Sequence, residues 1–215
     1  MRRRDFLRIA LSATASLAVA PAATLAQASD WVDHWWDGDD HDGSEPPAAV
    51  KPGGRILAPG SYCAGKLCLR SASRGEAGEF VFRDTSGNYD KQTIAALNWF
   101  LRCNDGSWQY MDIRTIESLN YLSAILGNPE ILVTSGYRSP AYNARLALSN
   151  ESVARNSLHQ YGQAVDFTIY GMNVRELCSY ALYARNRMGY GGVGYYPRAN
   201  FVHLDCGRVR NWVKG

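Results

Sequence analysis

The chain has 215 residues, with 23 Lys and Arg against 20 Asp and Glu. Four of the arginines and one of the aspartates lie in the first 28 residues, so the rest of the chain carries 19 basic and 19 acidic residues. This balance gives no support for nucleic-acid binding, which requires an excess of positive charge on the binding surface.

The first 28 residues have the pattern of an export signal. A twin-arginine motif at residues 3–8 precedes an apolar run at residues 9–20 and a small-residue cleavage site at residues 26–28. A membrane anchor is the alternative, but the run is shorter than the roughly 20 residues that span a bilayer. We therefore predict a cleaved twin-arginine signal peptide, no stable membrane span in the mature chain, and a location in the periplasm or cell envelope.

Residues 29–50 are rich in Asp and Gly and show no helical or strand periodicity, which predicts an acidic flexible linker. His34 and His41 lie among its aspartates and could collect metal ions, although a solvated tether is the favoured interpretation.

Residues 51–85 contain short apolar runs separated by Gly-rich turns, which predicts a small β-rich extension. Cys63 and Cys68 flank a tight connection there and could form a hairpin disulfide, because the chain is predicted to be exported. The chain has five cysteines, so at least one thiol is unpaired within it. The absence of a Cys-x-x-Cys motif argues against a redox function.

Residues 86–215 alternate between helical and strand-like patterns and are predicted to form the functional domain. Apolar residues at helical spacing predict helices over residues 94–101, 113–126, 140–148 and 173–188. Apolar runs at residues 130–134, 164–169, 191–196 and 201–205 predict strands. The predicted fold class is α+β, with a small, mainly antiparallel sheet packed on helices.

Two segments hold the candidate metal ligands, His159 with Asp166 and the later His203. On one helix, His159 and Asp166 would stand about 10 Å apart along the axis, too far to share a metal ion. A loop that turns at Gly162 and enters a strand fits better, because Asp166 then faces away from the core. If the strand of His203 lies beside it, the two side chains meet and His159 folds over them.

Two histidines and one carboxylate that leave a coordination position open are typical of hydrolytic zinc sites. Hydrogen-bonded structural pairs of His and carboxylate are the alternative, since such pairs are common in protein cores.

Four segments in a fixed order carry a resemblance to a known family: residues 135–140, 156–159, 191–197 and 201–205. The pattern Ser-x-His-x6-Asp followed by a later His is similar to the zinc signature of the LAS metallopeptidases, which include D-Ala-D-Ala carboxypeptidases and the hedgehog domain. The match is closest to the murein endopeptidase K branch and covers about residues 90–212.

This resemblance implies a zinc-dependent peptidase that cuts peptide cross-links of peptidoglycan. It implies zinc ligation by His159, Asp166 and His203, and it favours a role for Arg138 in binding or polarising the peptide substrate over a structural ion pair, which the residue alone also allows. Tyr137 and Ser157 are also predicted to contact substrate, and orienting the loop is the alternative role for Ser157. A carboxypeptidase acting on stem peptides, or a non-catalytic zinc-bearing domain that binds the cell wall, are the alternatives.

The chain departs from the family pattern at the general base. Many relatives have Glu or Asp three residues before the final His, where this chain has Asn200, which cannot accept the proton. Asp205 is predicted as the catalytic substitute, because it lies on the same strand face as His203. The alternative role for Asp205 is to orient the His203 ring.

Overall fold

The structure is a computed structural model and describes residues 65–150 and 153–214. The predicted signal peptide, the acidic linker with His34 and His41, and the first part of the predicted β-rich extension lie outside these residues.

The described chain forms seven strands, four α-helices and one 3-10 helix. The strands are β1 (Gly65–Ser71), β2 (Ala77–Arg83), β3 (Glu130–Ser135), β4 (Ala164–Ile169), β5 (Gly192–Tyr196), β6 (Phe201–Asp205) and β7 (Arg210–Val213). The helices are α1 (Lys91–Phe100), α2 (Ile113–Ile125), α3 (Pro140–Ser149) and α4 (Val174–Met188), and the 3-10 helix is Leu158–Tyr161. All four predicted helices are confirmed. Asp112 and Asn173 cap α2 and α4, since their side chains accept hydrogen bonds from the backbone N–H groups of Arg114 and Arg175.

All seven strands join one sheet in the order β2-β1-β3-β4-β6-β5-β7. The pairs β1–β3 and β5–β7 are parallel and the other four pairs are antiparallel. The α+β class is confirmed, but the prediction of a mainly antiparallel sheet was wrong, because the sheet is mixed. The two parallel pairs follow from long connections. Between β1 and β3 the chain passes through β2, α1 and α2, so β3 runs in the same direction as β1, and between β5 and β7 it passes through β6, so β7 runs in the same direction as β5.

The strands β1 and β2, which come from the predicted extension, form one edge of this same sheet. Their apolar side chains Leu67, Leu69, Phe80 and Phe82 belong to the main hydrophobic core. Cys68 is bonded to no other cysteine among the described residues, and its predicted partner Cys63 lies outside them, so the disulfide stays a prediction.

The hydrophobic core lies on one face of the sheet, and the candidate ligands lie on the other. Val165 and Phe167 of β4 and Val202 and Leu204 of β6 pack in the core, which α2 and α4 help to cover. The residues between them, Asp166 and His203, therefore point to the other face, as the alternation predicted.

We predict that Phe82→Ala lowers the free energy of unfolding of the protein by about 3–5 kcal/mol. The Phe82 side chain is fully buried in the core, so its truncation leaves a cavity. The measurement is urea denaturation followed by circular dichroism, with a single transition.

Val81→Ala is the matched control, because Val81 lies next to Phe82 on the exposed face of β2 and should change stability by no more than about 0.5 kcal/mol. Equal, small effects of the two substitutions would contradict the packing of this edge into the common core.

Candidate metal centre and cleft

The segment before β4 positions His159 through a short, sharply turned 3-10 helix. The Ser157 hydroxyl caps the helix by accepting a hydrogen bond from the His159 N–H. The helix ends at Gly162, whose φ is +66°, and a Cβ there would lie 2.2 Å from the Tyr110 carbonyl oxygen. Only glycine fits this turn. The predicted loop that turns at Gly162 and enters a strand is therefore confirmed.

The strand register places the other two candidate ligands side by side. Asp166 of β4 is paired directly with His203 of β6 in the antiparallel ladder. Side chains at directly opposed positions are the closest pairs in a sheet. The adjacency predicted from the alternating pattern is thus observed.

Three atoms from these residues form a small triangle. His159 Nε2 lies 3.1 Å from Asp166 Oδ1, and His203 Nδ1 lies 2.7 Å from the same oxygen. The two imidazole nitrogens are 3.2 Å apart. Zinc bonds of about 2.0–2.1 Å at tetrahedral angles place neighbouring ligand atoms about 3.3 Å apart, so the triangle has nearly the dimensions of one face of such a site. All three residues are buried and could together hold a metal ion.

A hydrogen bond to each far ring nitrogen orients the imidazoles. Nδ1 of His159 lies 2.7 Å from the Gly136 carbonyl oxygen, so it carries the proton there and leaves Nε2 as a ligand. Nε2 of His203 lies 3.2 Å from Asp205 Oδ2, which favours a proton on Nε2 and leaves Nδ1 facing the triangle. Metal ligands in proteins commonly have such supporting partners.

The ionisation of the three residues follows from their surroundings. Burial lowers the pKa of His159 to about 4, so this ring is neutral at neutral pH. Burial alone would raise the pKa of Asp166, but the two histidines hold it well below its usual range, so the carboxylate is ionised. Burial opposes protonation of His203, yet hydrogen bonds from its ring to Asp166 and Asp205 raise its pKa. The triangle thus combines a negative charge with a neutral imidazole.

Arg138 lies against the triangle and contacts its carboxylate. Its Nη2 donates a hydrogen bond to Asp166 Oδ2, and its Nε donates to the Ser135 hydroxyl at 2.7 Å. Arg138 also lines the cleft beside the triangle, as does Ser157. Tyr137, predicted to contact substrate, is buried and does not line this cleft.

Asp205 is held on the far side of the His203 ring. Its Oδ1 accepts hydrogen bonds from the Gly192 and Gly207 N–H groups at 2.9 and 2.8 Å, and its Oδ2 accepts one from Arg210 Nη2 at 2.6 Å. Its side chain is fully buried. Burial would raise the pKa of Asp205, but His203, Arg210 and the backbone N–H of Gly207 lower it below the usual value.

The sequence patterns did not predict β7, although β7 completes the site. Its Trp212 ring lies 5.2 Å from the His203 ring, and its Nε1–H donates to the Tyr196 hydroxyl at 3.1 Å. Tyr196 in turn stacks on Phe201 at 4.4 Å. Gly194 leaves room for this aromatic wall, because a Cβ there would lie 2.7 Å from the Trp212 ring. The sequence feature that could have indicated β7 is a tryptophan near the C-terminus that follows a Gly-rich strand.

The triangle opens on a cleft of about 380 Å³. The aromatic wall of Tyr196, Phe201 and Trp212 lines this cleft, as do Asn150 and several residues between 153 and 158. A cleft of this size accommodates several residues of an extended peptide or a similarly sized ligand.

Comparison with known proteins identifies the family. The family model described as peptidoglycan L,D-endopeptidase MepK matches residues 63–212. The chain belongs to this family. The resemblance to the LAS-type metallopeptidases is confirmed, and all the candidate site residues from Tyr137 to Asp205 lie within the matched range.

Curated relatives agree with the family match. The chain is 37% identical over 148 residues to the peptidoglycan L,D-endopeptidase MepK of Escherichia coli K12, covering 68% of this chain and 79% of that protein. It is 35% identical over 151 residues to the probable MepK of Haemophilus influenzae, covering 68% and 77% of the two chains. The chain is therefore a member of a family of peptidases that act on peptidoglycan.

We predict that Arg210→Gln destabilises the protein by about 1 kcal/mol near pH 7, and by less as the pH falls. The Arg210 guanidinium stabilises the ionised form of the buried Asp205, and about a third of the Arg210 side chain is exposed, so solvent weakens this attraction. A carboxyl with a lowered folded pKa contributes stability above its unfolded pKa and loses it as pH falls through the folded value.

The measurement is urea unfolding of both proteins at about pH 7 and about pH 3. Arg208→Gln is the control, since Arg208 is an exposed neighbour and its removal should leave stability nearly unchanged at either pH. A destabilisation by Arg210→Gln that stays constant across this pH range would contradict the conclusion that Arg210 stabilises the ionised form of Asp205.

Proposed function

We propose that the protein is a zinc-dependent peptidoglycan L,D-endopeptidase that cuts peptide cross-links of the cell wall. His159, Asp166 and His203 would hold the zinc ion. The observation that supports this most directly is the buried triangle of two imidazole nitrogens and one carboxylate oxygen, opening on a cleft within the region matched by the MepK family.

The donor set suits zinc. Imidazole nitrogen and carboxylate oxygen are common zinc ligands, and three protein ligands with one open position are typical of catalytic rather than structural sites. When bound, zinc supplies Lewis acidity that lowers the pKa of water and polarises a carbonyl group. Asp166 contributes the negative charge that balances part of the charge of the cation, and the two histidines contribute neutral nitrogen ligands.

We propose that Asp205 orients His203 and does not act as the general base. Both of its oxygens accept hydrogen bonds from Gly192, Gly207 and Arg210, and the His203 ring lies between Asp205 and the triangle. A general base needs to reach the attacking water at hydrogen-bond distance. The geometry supports the orienting role that the sequence left open.

Arg138 and Ser157 have proposed roles at the edge of the triangle. Arg138 keeps Asp166 in place through one nitrogen of its guanidinium and faces the cleft, where it can also donate to a peptide carbonyl. Ser157 caps the 3-10 helix that carries His159, so we assign it to positioning this ligand as well as to the cleft wall. A substrate contact by Tyr137 stays a prediction.

A non-catalytic zinc-bearing domain that binds the cell wall is the second candidate. The observation that favours it is Asn200 at the position where many relatives have an acidic base. Among the described residues that line the cleft, Asp166 is also the only acidic one. The metal experiment below separates the two candidates, because a binding domain would retain sacculi without releasing fragments.

We propose that the protein works in the periplasm or cell envelope, where peptidoglycan lies, after twin-arginine export. Residues 1–28 would be removed, residues 29–50 would form a linker, and the peptidase domain would span residues 86–215 with the extension of residues 51–85. None of the helices within residues 65–150 and 153–214 has the length and apolar character needed to cross a membrane.

We predict that the purified protein releases soluble muropeptides from isolated sacculi and that a chelator abolishes this release. His159→Ala should reduce bound zinc from about one ion per chain to near zero and reduce release by at least about 100-fold. Zinc content is measured by mass spectrometry of the metal, and release by chromatography of the digest.

Gln160→Ala is the matched control, because the Gln160 side chain points to the Arg155 carbonyl oxygen and not to the triangle. It should retain both zinc and activity. Undiminished release after complete removal of metal would refute the zinc-dependent mechanism, and tight pelleting with sacculi without release would favour the binding domain.

We predict that Asp205→Asn weakens zinc binding by about 10–100-fold, because the far nitrogen of His203 loses its charged partner. Activity should return to within a few-fold of the original when zinc is added in excess. The measurement is a zinc titration of the variant with activity as the second readout. If the zinc-saturated variant stays about 100-fold or more below the unsubstituted protein, Asp205 acts as the base after all.

A further inference from the structure

The cleft beside the triangle carries a marked excess of positive charge. Four basic residues line it, Arg138, Arg198, Arg210 and Lys214, against the single carboxylate of Asp166. The excess is local, because the chain beyond residue 28 is balanced in charge. A concave surface lined by one sign of charge concentrates ligands of the other sign.

Two of these four cations are already engaged within the site. Arg138 donates to Asp166, and Arg210 donates to Asp205. Arg198 and Lys214 form no ion pair among the described residues, and both side chains are exposed. They are therefore the cations of the cleft that are available to a ligand.

The topology brings Arg198 and Lys214 to the same end of the sheet. Arg198 lies in the turn between β5 and β6, two residues after Tyr196. Lys214 follows β7, which runs parallel to β5, and its N–H donates to the Tyr195 carbonyl oxygen at 2.9 Å. The two residues thus lie at the open end of the aromatic wall formed by Tyr196, Phe201 and Trp212.

We propose that Arg198 and Lys214 recognise a carboxylate of the peptide substrate close to the bond that is cut. This inference rests on the proposed function, and it names the chemical feature that the enzyme selects in its substrate. Exposed ammonium and guanidinium groups without an ion-pair partner can bind carboxylates by charge-assisted hydrogen bonds.

The strand register sets how far this carboxylate lies from the scissile bond. His203 is opposite Gly194, and the hairpin turn begins after Tyr196, two residues further along β5. Two residues of a strand span about 7 Å, and an extended peptide covers the same distance in two residues. The recognised carboxylate therefore belongs to a residue within about two positions of the cleaved bond.

The test uses two synthetic peptides that contain the same L,D peptide bond. One carries free carboxylates on the residues that flank this bond, and in the other these groups are carboxamides. We expect the unsubstituted protein to cleave the carboxylate peptide with a kcat/KM roughly tenfold higher than the amide peptide. The difference should appear in KM, because the contact does not involve the reacting atoms, and it should shrink at high salt.

In the Arg198→Gln/Lys214→Gln double variant the preference should fall to within about twofold, because kcat/KM for the carboxylate peptide falls towards the value for the amide peptide. Arg175→Gln/Arg187→Gln is the matched control, because it removes the same charge from exposed positions on α4 that do not line the cleft. This control should retain the full preference. Binding of N-methylated, uncleavable versions of both peptides, measured by calorimetry, gives a second readout that does not depend on turnover.

Equal kcat/KM values for the two peptides with the unsubstituted protein would overturn the inference and leave the endopeptidase function intact. A preference that survives in the Arg198→Gln/Lys214→Gln variant would also overturn it, because other groups would then recognise the carboxylate. Failure to cleave either peptide or sacculi would instead refute the proposed function, and with it the inference.

Discussion

The pairing of Asp166 with His203 across two antiparallel strands is the constraint on which the rest of the site depends. A slip of β6 by one residue against β4 would turn His203 into the core and bring an apolar neighbour such as Val202 to the cleft beside Asp166. The hydrophobic core prevents this slip, because the alternate residues of both strands pack under the helices. The geometry of the polar site is therefore fixed by apolar packing on the opposite face of the sheet.

The ionisable groups form a continuous chain of alternating partners from Arg138 through Asp166, His203 and Asp205 to Arg210. Burying a carboxylate is costly unless it is paired and hydrogen-bonded, and each of these two carboxylates has several partners. The two aspartates in this series of paired groups have different surroundings. Asp166 has an oxygen within the triangle, whereas Asp205 is enclosed by backbone N–H groups and Arg210 behind the His203 ring.

The parts of the site that sequence reasoning found depend on local patterns, and the parts it missed depend on contacts between distant segments. Alternation in two strands and a glycine turn were enough to bring Asp166 and His203 together and to place His159 over them. The strand β7 was not predicted because its four residues are partly buried or exposed and show no apolar alternation. The parallel pairings of the mixed sheet depend on the path of long connections, and the engagement of Arg138 with Asp166 depends on three-dimensional proximity across 28 residues of sequence.

The site is built in two layers with different tolerance to change. The triangle and its supporting partners are buried and linked to one another, so a substitution there disturbs several groups at once. Arg198 lies in the β5–β6 turn and Lys214 directly follows β7; both are exposed, and their side chains do not contribute to the core. Under the proposed recognition of a substrate carboxylate, changes at these two positions would alter which peptides bind without altering the reaction, because selectivity and chemistry would depend on different parts of the same sheet.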